Sequence, residues 1–551
     1  MSNIDVVLFE KKRKIDKSKK VKVNLYSLTD EFFDLLNREN IINRLKEISQ
    51  LGVIKTKREL RKSRYDYIML QLYLHKLVRD NLHSELKFSY SNTFKENEFS
   101  NEISFAGQRI SIGDLVQLMV IVYNMGHFYN TFVSSRGMIM HYHDNPNLKE
   151  LLMSAYEDEN YKKSVSEILD NYLYRKFHLI NSLTILSKMD DCLSVKIARK
   201  LLILYLNKEE IDKDGKIGYV FYLFDSIRKA AYISYDLEIA KTPIVIDLGD
   251  KDAILSLLKE LISSYNNRLT TNQMINSISK LLEDKLYNKE YSSIDYYNMS
   301  KIIKNKLKKT NIKNLEDYIT LWKEKDSVVN SKCRYNKNYD SNILKLTFKN
   351  SDTVVAHDML SELNHTNDIR VGYYDRSNGD KTILVALKTK SNNKLKTSFN
   401  VMRIAIKHLN KIDGITKFDN RFLLTSKFFL YYLFNENPLK INPTIDNIKC
   451  LFCARGRKSR IDILESMIKN TSCDSDDIIH EVETLVKMLK NDTVNDVAIC
   501  IPASVQIYNK LDIKTKLYEL DGMVLFPNRK QNSIVFFESK NKVHQKSAAQ
   551  F

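Results

Sequence analysis

Apolar residues recur at intervals of three and four positions through most of the chain between Ser27 and Lys325. This spacing places them along one face of an α-helix. The pattern is clearest in Leu201–Leu206, Ile254–Ile262 and Met274–Leu286. It therefore predicts a long helical region in the N-terminal part of the chain.

After residue 325 the pattern changes from helical to mixed. Ile343–Phe348 has the composition of a strand. Ile369–Tyr374 and Thr382–Lys388 flank a glycine-containing turn, which predicts a β-hairpin. A helix is predicted next, from about Lys394 to Lys411.

These changes divide the chain into four predicted segments. They are a basic N-terminal arm at 1–24, a helical domain at 25–325, a mixed α/β region at 326–469 and a C-terminal module at 470–551. The predicted fold class is thus a mainly α N-terminal region with an α/β C-terminal module.

Two further candidate strands lie near the C-terminus. Leu517–Phe526 and Ser533–Lys540 are rich in aromatic and β-branched residues, and the polar turn PNRKQN separates them. A turn of this kind between two strand-like runs predicts an antiparallel hairpin. If Phe526 lies opposite Ser533, on the two sides of this turn, the register of the whole pair follows.

This register brings two carboxylates together. Asp521 is predicted to lie opposite Glu538, with Glu519 opposite Lys540 on the same face. Side chains paired in this way have Cβ atoms about 4.5–5.5 Å apart, so the carboxylates repel each other unless a divalent cation binds both. A lysine one pleat away can orient an attacking water or stabilise the negative charge that develops on a phosphate.

An aspartate followed, across a turn, by Glu-x-Lys at the end of an apolar strand resembles the PD-(D/E)xK nuclease superfamily. The resemblance implies a restriction-endonuclease-like α/β fold for residues 470–551. It also implies that Asp521 and Glu538 bind Mg²⁺ (or Mn²⁺) and that Lys540 assists hydrolysis of a phosphodiester bond.

The flanking segments extend the resemblance. The family usually has a preceding helix that contributes a glutamate, and the amphipathic segment Asp476–Leu489 contains two. We favour Glu483 as the additional metal ligand because it lies beside the apolar face, with Glu481 as the alternative. Lys546–Gln550 resembles the start of the family's second helix. The sequence departs from the family in lacking the usual proline before the aspartate, and it stops at Phe551, within that second helix.

A fainter resemblance concerns the helical region. Asp114–Gly137 resembles the helix of HD-domain phosphohydrolases, and Arg228–Tyr232 followed by Asp236 adds to this. The family's metal-binding His-Asp pair would fall on Tyr123 and Asn124, which are poor substitutes for an imidazole and a carboxylate. The resemblance therefore implies a degenerate HD-like domain that acts as a scaffold or sensor. The alternative is an ordinary helical bundle in which His127 is buried.

The charge of the chain indicates an anionic partner. Its 87 Lys and Arg outnumber 68 Asp and Glu, which gives a net charge of +19 over 551 residues. Nucleic acid is the first candidate, with DNA favoured over RNA. The alternative explanation is the codon bias of an AT-rich genome, since Lys, Asn, Ile and Tyr are all abundant.

The sequence also predicts a cytoplasmic protein without a membrane partner. Its six cysteines are scattered and form no disulfide framework, and no secretory signal is visible at the N-terminus. Leu115–Gly126 is strongly apolar but is shorter than the roughly 20 residues that cross a bilayer.

Together these patterns predict a metal-dependent nuclease, an endonuclease that hydrolyses phosphodiester bonds. By analogy it would act in defence or genome processing. The alternative is a non-catalytic nucleic-acid-binding or scaffold protein with a relic nuclease fold. The presence of Asp521, Glu538 and Lys540 together favours the enzyme. A protein partner and a homo-oligomer both remain open.

Overall fold

The structure is a computed structural model of the chain, and it divides into two compact units, Met1–Tyr335 and Asn336–Phe551. The residues that it describes are 3–9, 18–50, 52, 62–81, 102–208, 215–239, 250–266, 278, 290–325, 339–375, 379–391, 393–413, 420–443, 465, 469, 480, 483–484, 486–487, 490, 499–501, 503–526 and 533–537.

The first unit consists mainly of helices. Those that the structure describes are α1 (Ser27–Arg38), α2 (Ile41–Glu47), α3 (Arg64–Asn81), α4 (Ile112–Met125), α5 (Phe132–Tyr142), α6 (Asn147–Met153), α7 (Glu159–Asp170), α8 (Phe177–Leu186), α9 (Leu193–Leu206), α10 (Lys216–Ile239), α11 (Lys251–Asn266), α12 (Glu290–Leu307) and α13 (Leu315–Lys323). The predicted helical segments Leu201–Leu206 and Ile254–Ile262 lie in α9 and α11 and are confirmed. Met274–Leu286 lies outside the described residues except for Ile278.

Helix α4 is the centre of the first unit. Of its 14 residues, all except Tyr123 are buried. A helix that is apolar on every side is stable in a water-soluble fold only when other helices surround it. Helices α1, α3, α8, α9 and α10 pack against α4 and provide that surrounding layer. The apolar stretch that stands out in the sequence is thus the core helix of this unit.

The C-terminal end of α4 is closed by other helices. The carbonyl oxygen of Gly126 accepts hydrogen bonds from Asn181 Nδ2 (2.8 Å) and from Trp322 Nε1 (3.1 Å). A Cβ atom at position 126 would lie 2.1 Å from the carbonyl oxygen of His178. Glycine is therefore required for α4 and α8 to approach this closely, and the approach brings His127 next to His178.

At the other end of α4, Asp114 caps a different helix. Its carboxylate accepts hydrogen bonds from the backbone N–H groups of Leu28 (3.0 Å) and Thr29 (2.8 Å), in the first turn of α1. The preceding residue of α1, Tyr26, provides no side-chain cap. Asp114 thus supplies from 85 residues away the acceptor that a helix N-terminus normally takes from its own N-cap residue.

The segment predicted as a basic arm contains a β-hairpin. Strands β1 (Asn3–Phe9) and β2 (Ser18–Asn24) pair antiparallel. Val6 and Val23 are buried in the core of the first unit, whereas Lys22 is exposed. The alternation of valine and lysine along β2 explains this, because successive side chains of a strand point to opposite faces. A second hairpin of this unit consists of β3 (Glu102–Phe105) and β4 (Gln108–Ser111).

The second unit begins with an antiparallel sheet in the order β5–β7–β6. These strands are β5 (Tyr339–Phe348), β6 (Ile369–Asp375) and β7 (Lys381–Lys388), and helices α14 (Thr353–Asn364), α15 (Lys394–Leu409) and α16 (Asn420–Leu433) pack with them. The predicted strands, hairpin and helix of this part are confirmed. Residues 383–387 of the central strand β7 are all buried, as expected for a strand covered on both faces.

Two more antiparallel sheets follow in the second unit. One has the order β8–β10–β11 and the other the order β9–β12–β13. Their strands are β8 (Leu439–Pro443), β9 (Ile499–Ile501), β10 (Ala503–Tyr508), β11 (Lys516–Leu520), β12 (Gly522–Phe526) and β13 (Ser533–Phe537). A mainly helical N-terminal region with small sheets mostly in the C-terminal half agrees with the predicted fold class at this level.

Within the described ranges, no helix has both the length and the apolar character that crossing a lipid bilayer requires.

We expect Asp114→Ala to lower the free energy of unfolding of the first unit by about 2–4 kcal/mol. The change removes the cap of α1 and leaves two buried N–H groups without an acceptor. Urea unfolding followed by tryptophan fluorescence measures this directly, because Trp322, in the first unit, is the only tryptophan of the chain. The control is Ser111→Ala, which removes the local cap of α4 and should cost about 1 kcal/mol. Equal losses in the two variants would contradict the role of Asp114.

Candidate functional site

Strands β12 and β13 form the hairpin on which the predicted nuclease site depends. Phe526 lies opposite Ser533, and Gly522 lies opposite Phe537. This is the register that the sequence predicts, and it is confirmed for these residues. Strand β9 pairs with the other edge of β12, so β12 is the central strand of its sheet.

Asp521 lies where the chain passes from one sheet to another. Strand β11 before it pairs with β10, whereas β12 after it pairs with β9 and β13. The sequence predicts a single strand at Leu517–Phe526, but the structure divides this strand at Asp521, next to Gly522. Glycine in a strand favours such a bend. The alternation that would place Glu519 and the half-buried Asp521 on one face therefore does not extend across the break.

Glu519 is engaged within its own sheet. Its carboxylate accepts hydrogen bonds from Gln506 Nε2 (3.0 Å), on the neighbouring strand β10, and from Lys516 Nζ (2.5 Å). Lys540, its predicted partner, lies outside the described residues. The contacts of Glu519 are those of an exposed strand surface, and such ion pairs contribute little to stability.

The other predicted site residues are only partly described. Glu538, like Lys540, lies outside the described residues, and so do Glu481 and Lys546–Gln550. Glu483 is in a helical position, is half-buried and is close in sequence to the buried Val486. The role of Glu483 as a metal ligand stays a prediction.

No group of three or more His, Cys, Asp or Glu side chains able to hold a metal ion occurs within the described part of the chain. The predicted ligand set is Asp521, Glu538 and Glu483, and one of its three members is not among those residues. The two that are described carry carboxylate oxygens in partly buried positions, and Mg²⁺ prefers ligands of this chemistry.

In the HD-like region, the two positions that would carry metal ligands are engaged in other contacts. Asn124 Nδ2 donates a hydrogen bond to the carbonyl oxygen of Val120 within α4 (2.8 Å). The ring of Tyr123 packs edge-to-face against His178 (4.9 Å between centroids) and against Tyr205 (5.7 Å). These contacts contribute to the packing of the helices. His127 is buried, as the alternative of an ordinary helical bundle predicts.

His127 and His178 stack in the core of the first unit. Their ring centroids are 4.1 Å apart, with an angle of 8° between the planes, and each residue is only 2% exposed. His127 Nδ1 and His178 Nε2 have no hydrogen-bond partner among the residues described. Burial, together with the positive charges of Arg64 and Arg228, lowers the pKa of His178 to about 3. Burial and Arg64 also hold the pKa of His127 well below its usual value.

Arg64 and Asp236 bring opposite charges to the same buried region. Arg64 Nη2 donates to the carbonyl oxygen of Gln50 (2.8 Å), and the guanidinium lies over the ring of Tyr67 (5.6 Å). Burial raises the pKa of Asp236 to about 7, although the charge of Arg64 opposes the shift. Asp236 Oδ1 has no hydrogen-bond partner in the described residues. Near neutral pH this carboxyl group is therefore protonated in a large fraction of molecules.

Arg228 adjoins this buried group with a side chain that is 29% exposed. Its Nη2 lies 3.4 Å from Asp225 Oδ1, and its guanidinium lies 5.2 Å from the ring centroid of Tyr123. Asp225 also accepts hydrogen bonds from Lys208 Nζ (2.6 Å) and from the hydroxyl of Tyr205 (2.7 Å). Although burial alone would raise it, the pKa of Asp225 is lowered by Arg228 and Lys208. We call Arg64, His127, His178, Arg228 and Asp236 the buried His–Arg cluster.

The sequence pattern reveals only part of the buried His–Arg cluster. It identifies His127, Arg228 and Asp236 through the HD resemblance but misses His178 and Arg64. A signal for His178 exists, since it is the one ionisable residue in the apolar segment Phe177–Leu186, where it has to be buried. Arg64 has no comparable signal, because it is one of 87 basic residues in the chain.

Comparison of the chain with protein-family models, with curated proteins and with solved structures finds no match. The resemblances described above therefore depend on the residues quoted for them.

We expect the first unit to lose stability as the pH falls below about 6.5, because its buried histidines stay neutral. The unfolded imidazole binds a proton near pH 6.5, whereas folded His178 binds one only near pH 3. The unfolded state thus takes up more protons over this range. Each buried neutral histidine then costs about 1.4 kcal/mol per pH unit below 6.5.

Urea titrations between pH 7.5 and 5, followed by the fluorescence of Trp322, measure this slope. His178→Phe keeps a buried ring and removes one titrating group, so the slope due to histidine should fall by about a third, with His127 and the fully buried His75 providing most of the rest. Asp236 acts in the opposite sense, since its raised pKa favours the folded state at lower pH, but it is unchanged in both proteins. An identical pH dependence in wild type and variant would disprove the role of His178.

Proposed function

We propose that the chain is a metal-dependent nuclease that hydrolyses phosphodiester bonds in nucleic acid, with DNA favoured. The observation that carries this proposal is the register of β12 and β13. Gly522 lies opposite Phe537 in that register. The next residues in the sequence on the two sides are Asp521 and Glu538, the acidic pair of the PD-(D/E)xK resemblance.

The chemistry of the proposed site follows from its side chains. Asp521 and Glu538 would hold Mg²⁺ or Mn²⁺, with Glu483 as an additional ligand, since carboxylate oxygens suit these ions. A metal ion in such a site neutralises charge on the phosphate and favours ionisation of a bound water. The ammonium group of Lys540 would orient the attacking water by donating a hydrogen bond to it. The positive charge of the same group would offset negative charge on the reacting phosphate.

The charge of the chain supports nucleic acid as the substrate. A net charge of +19 favours association with a polyanion and makes that association dependent on salt. Exposed lysines of β2, such as Lys20 and Lys22, are among the described residues that offer phosphate contacts. In this proposal the helical first unit selects the target or restrains cleavage, by analogy with other nucleases that carry large helical regions.

The competing function is a nucleic-acid-binding or scaffold protein with a relic nuclease fold. One observation favours it, namely the break between β11 and β12 at Asp521. An acidic residue at a bend is held in place less firmly than one within a paired strand, and metal sites depend on firmly held ligands. The two functions differ in whether bound nucleic acid is cleaved.

We expect the full chain to cleave at least one of labelled double-stranded DNA, single-stranded DNA and RNA in Mg²⁺ or Mn²⁺ but not in EDTA. Asp521→Asn and Glu538→Gln should each lower the cleavage rate by at least about 100-fold, and Lys540→Ala by about 100- to 1000-fold. Nucleic-acid binding, measured by fluorescence anisotropy, should change little in these variants.

The matched control is Asp512→Asn. Asp512 is an exposed aspartate in the turn between β10 and β11, where it accepts a hydrogen bond from the hydroxyl of Thr515. The control variant should cleave at the wild-type rate. If the wild type binds nucleic acid and cleaves none of the three substrates in either metal, the scaffold function is the correct one. Equal losses in Asp512→Asn and Asp521→Asn would also contradict the proposed site.

A further inference from the structure

A shallow cleft opens on the surface of the first unit, beside the loop that follows α4. Its space is about 410 Å³, which includes solvent at its mouth. Residues of α5, α12 and α13 complete its walls. Six apolar side chains line most of it, namely Phe128, Tyr129, Met138, Ile303, Leu307 and Leu321. A concave apolar surface of this kind can take one ring or one side chain of a ligand out of water.

Polar groups of both kinds also line the cleft. Lys306 Nζ and Glu324 Oε2 lie 3.6 Å apart, and their side chains are 36% and 53% exposed. Ser134 is a third polar residue of the lining. An ammonium only donates hydrogen bonds, a carboxylate only accepts them, and a hydroxyl does both. The cleft, which we call the Lys306 cleft, thus suits a ligand with an apolar body and with donors and acceptors next to each other on one edge.

The aromatic wall of the Lys306 cleft is fixed by its neighbours. The guanidinium of Arg44 lies 4.8 Å from the ring centroid of Tyr129 and 3.6 Å from that of Trp322. Arg44 Nη2 also donates to the carbonyl oxygen of Trp322 (2.9 Å), and the hydroxyl of Tyr129 donates to Glu47 Oε2 (3.3 Å). Tyr129 is therefore in position before a ligand arrives, and a preformed wall lowers the entropy cost of binding.

The segment that forms much of this cleft is strongly basic. Residues 301–325, from α12 to α13, contain eight lysines and three acids. Lys309 and Lys323 are exposed and are close in sequence to residues that line the cleft. Three of the eight lysines pair with Asp144 or Glu47, which lie outside the segment, and an excess of positive charge remains. The surface around the cleft therefore attracts a polyanion.

We propose that the Lys306 cleft binds one base of a single strand of nucleic acid, with neighbouring lysines on the phosphates of that strand. A nucleobase has two apolar faces and an edge with adjacent donors and acceptors, so it matches both the walls and the polar groups of the cleft. The base has to be unpaired, because in a duplex its edge is already bonded to the partner strand. An aliphatic side chain of an acidic peptide would fill the walls but would use neither Lys306 nor Glu324.

This inference takes nucleic acid as the partner from the proposed function, but it does not depend on cleavage. The Lys306 cleft belongs to the first unit, whereas the proposed nuclease site belongs to the second. The first unit would thus select nucleic acid that contains unpaired bases. Binding can be measured in EDTA, where the proposed nuclease does not cut. A chain that binds as expected and never cleaves in Mg²⁺ or Mn²⁺ would contradict the nuclease and leave this inference intact.

The test is the affinity of the full chain for a labelled single strand of about 12 nucleotides, measured by fluorescence anisotropy in EDTA. A second strand of the same length consists of abasic nucleotides, which keep the phosphates and lack the bases. We expect the strand with bases to bind at least about tenfold more tightly than the abasic strand. It should also bind more tightly than a duplex of the same sequence. Equal affinities for the intact and the abasic strand overturn the proposal.

Two variants separate the cleft from the lysines around it. Leu321→Phe adds a ring to the lining and should remove most of the difference between the intact and the abasic strand. Lys309→Met removes a charge outside the lining, so it should weaken both strands alike and lower the slope of log affinity against log salt by about 0.7. The proposal is wrong if Leu321→Phe is folded and keeps the wild-type difference. Folding is followed by the fluorescence of Trp322, and Lys306→Met, which should also reduce the difference, replaces Leu321→Phe if that variant does not fold.

The matched control is Lys251→Met, which removes one exposed lysine from the start of α11 in the same unit. This variant should bind both strands like the wild type. Equal losses in Lys251→Met and Lys306→Met would indicate general attraction by charge and would overturn the proposal. Polyglutamate tests the competing ligand. If it displaces the labelled strand as effectively as the unlabelled strand does, the surface binds acidic peptides and the proposal is again overturned.

Discussion

Every residue of helix α4 except Tyr123 is buried, and the arrangement of the first unit follows from this constraint. Its apolar residues require neighbours all around, and α1, α3, α8, α9 and α10 provide them. The polar groups of α4 then become the points at which neighbours are fixed. Asp114 caps α1, Gln117 bonds the backbone of Asn24 and Tyr26, and Gly126 accepts hydrogen bonds from two other helices. The burial of α4 and the hydrogen bonds of its polar groups thus determine both the positions of the neighbouring helices and the stability of the unit.

The same packing accounts for the buried His–Arg cluster. When α4 and α8 approach through Gly126, His127 and His178 are enclosed together and held neutral by burial. Ionisable groups in such a place are expensive to keep, because an apolar residue of similar volume avoids the cost of desolvation. Burial shifts the pKa values of both histidines strongly downward, and strongly shifted pKa values are a recognised sign of functional sites.

The second unit presents a different physical situation. The backbone pairing of its hairpin β12–β13 has a fixed register. That register does not fix the path by which the chain enters the hairpin. Asp521, which we propose as a metal ligand, comes directly before the paired residues in the sequence. Its position depends on how the chain leaves one sheet and enters the next.

The sequence by itself determined the features that follow from local periodicity. These are the helical first region, the strands and hairpin of Ile369–Lys388, and the pairing of Phe526 with Ser533, because alternation and turn length act within a few residues. Only the tertiary structure decided that the strand after Leu517 divides at Asp521, since a second sheet competes for its first half. Likewise, only the tertiary structure stacks His178 on His127 and places Arg64 in the same buried region. Contacts between residues far apart in sequence depend on how whole helices pack, and no local pattern contains that information.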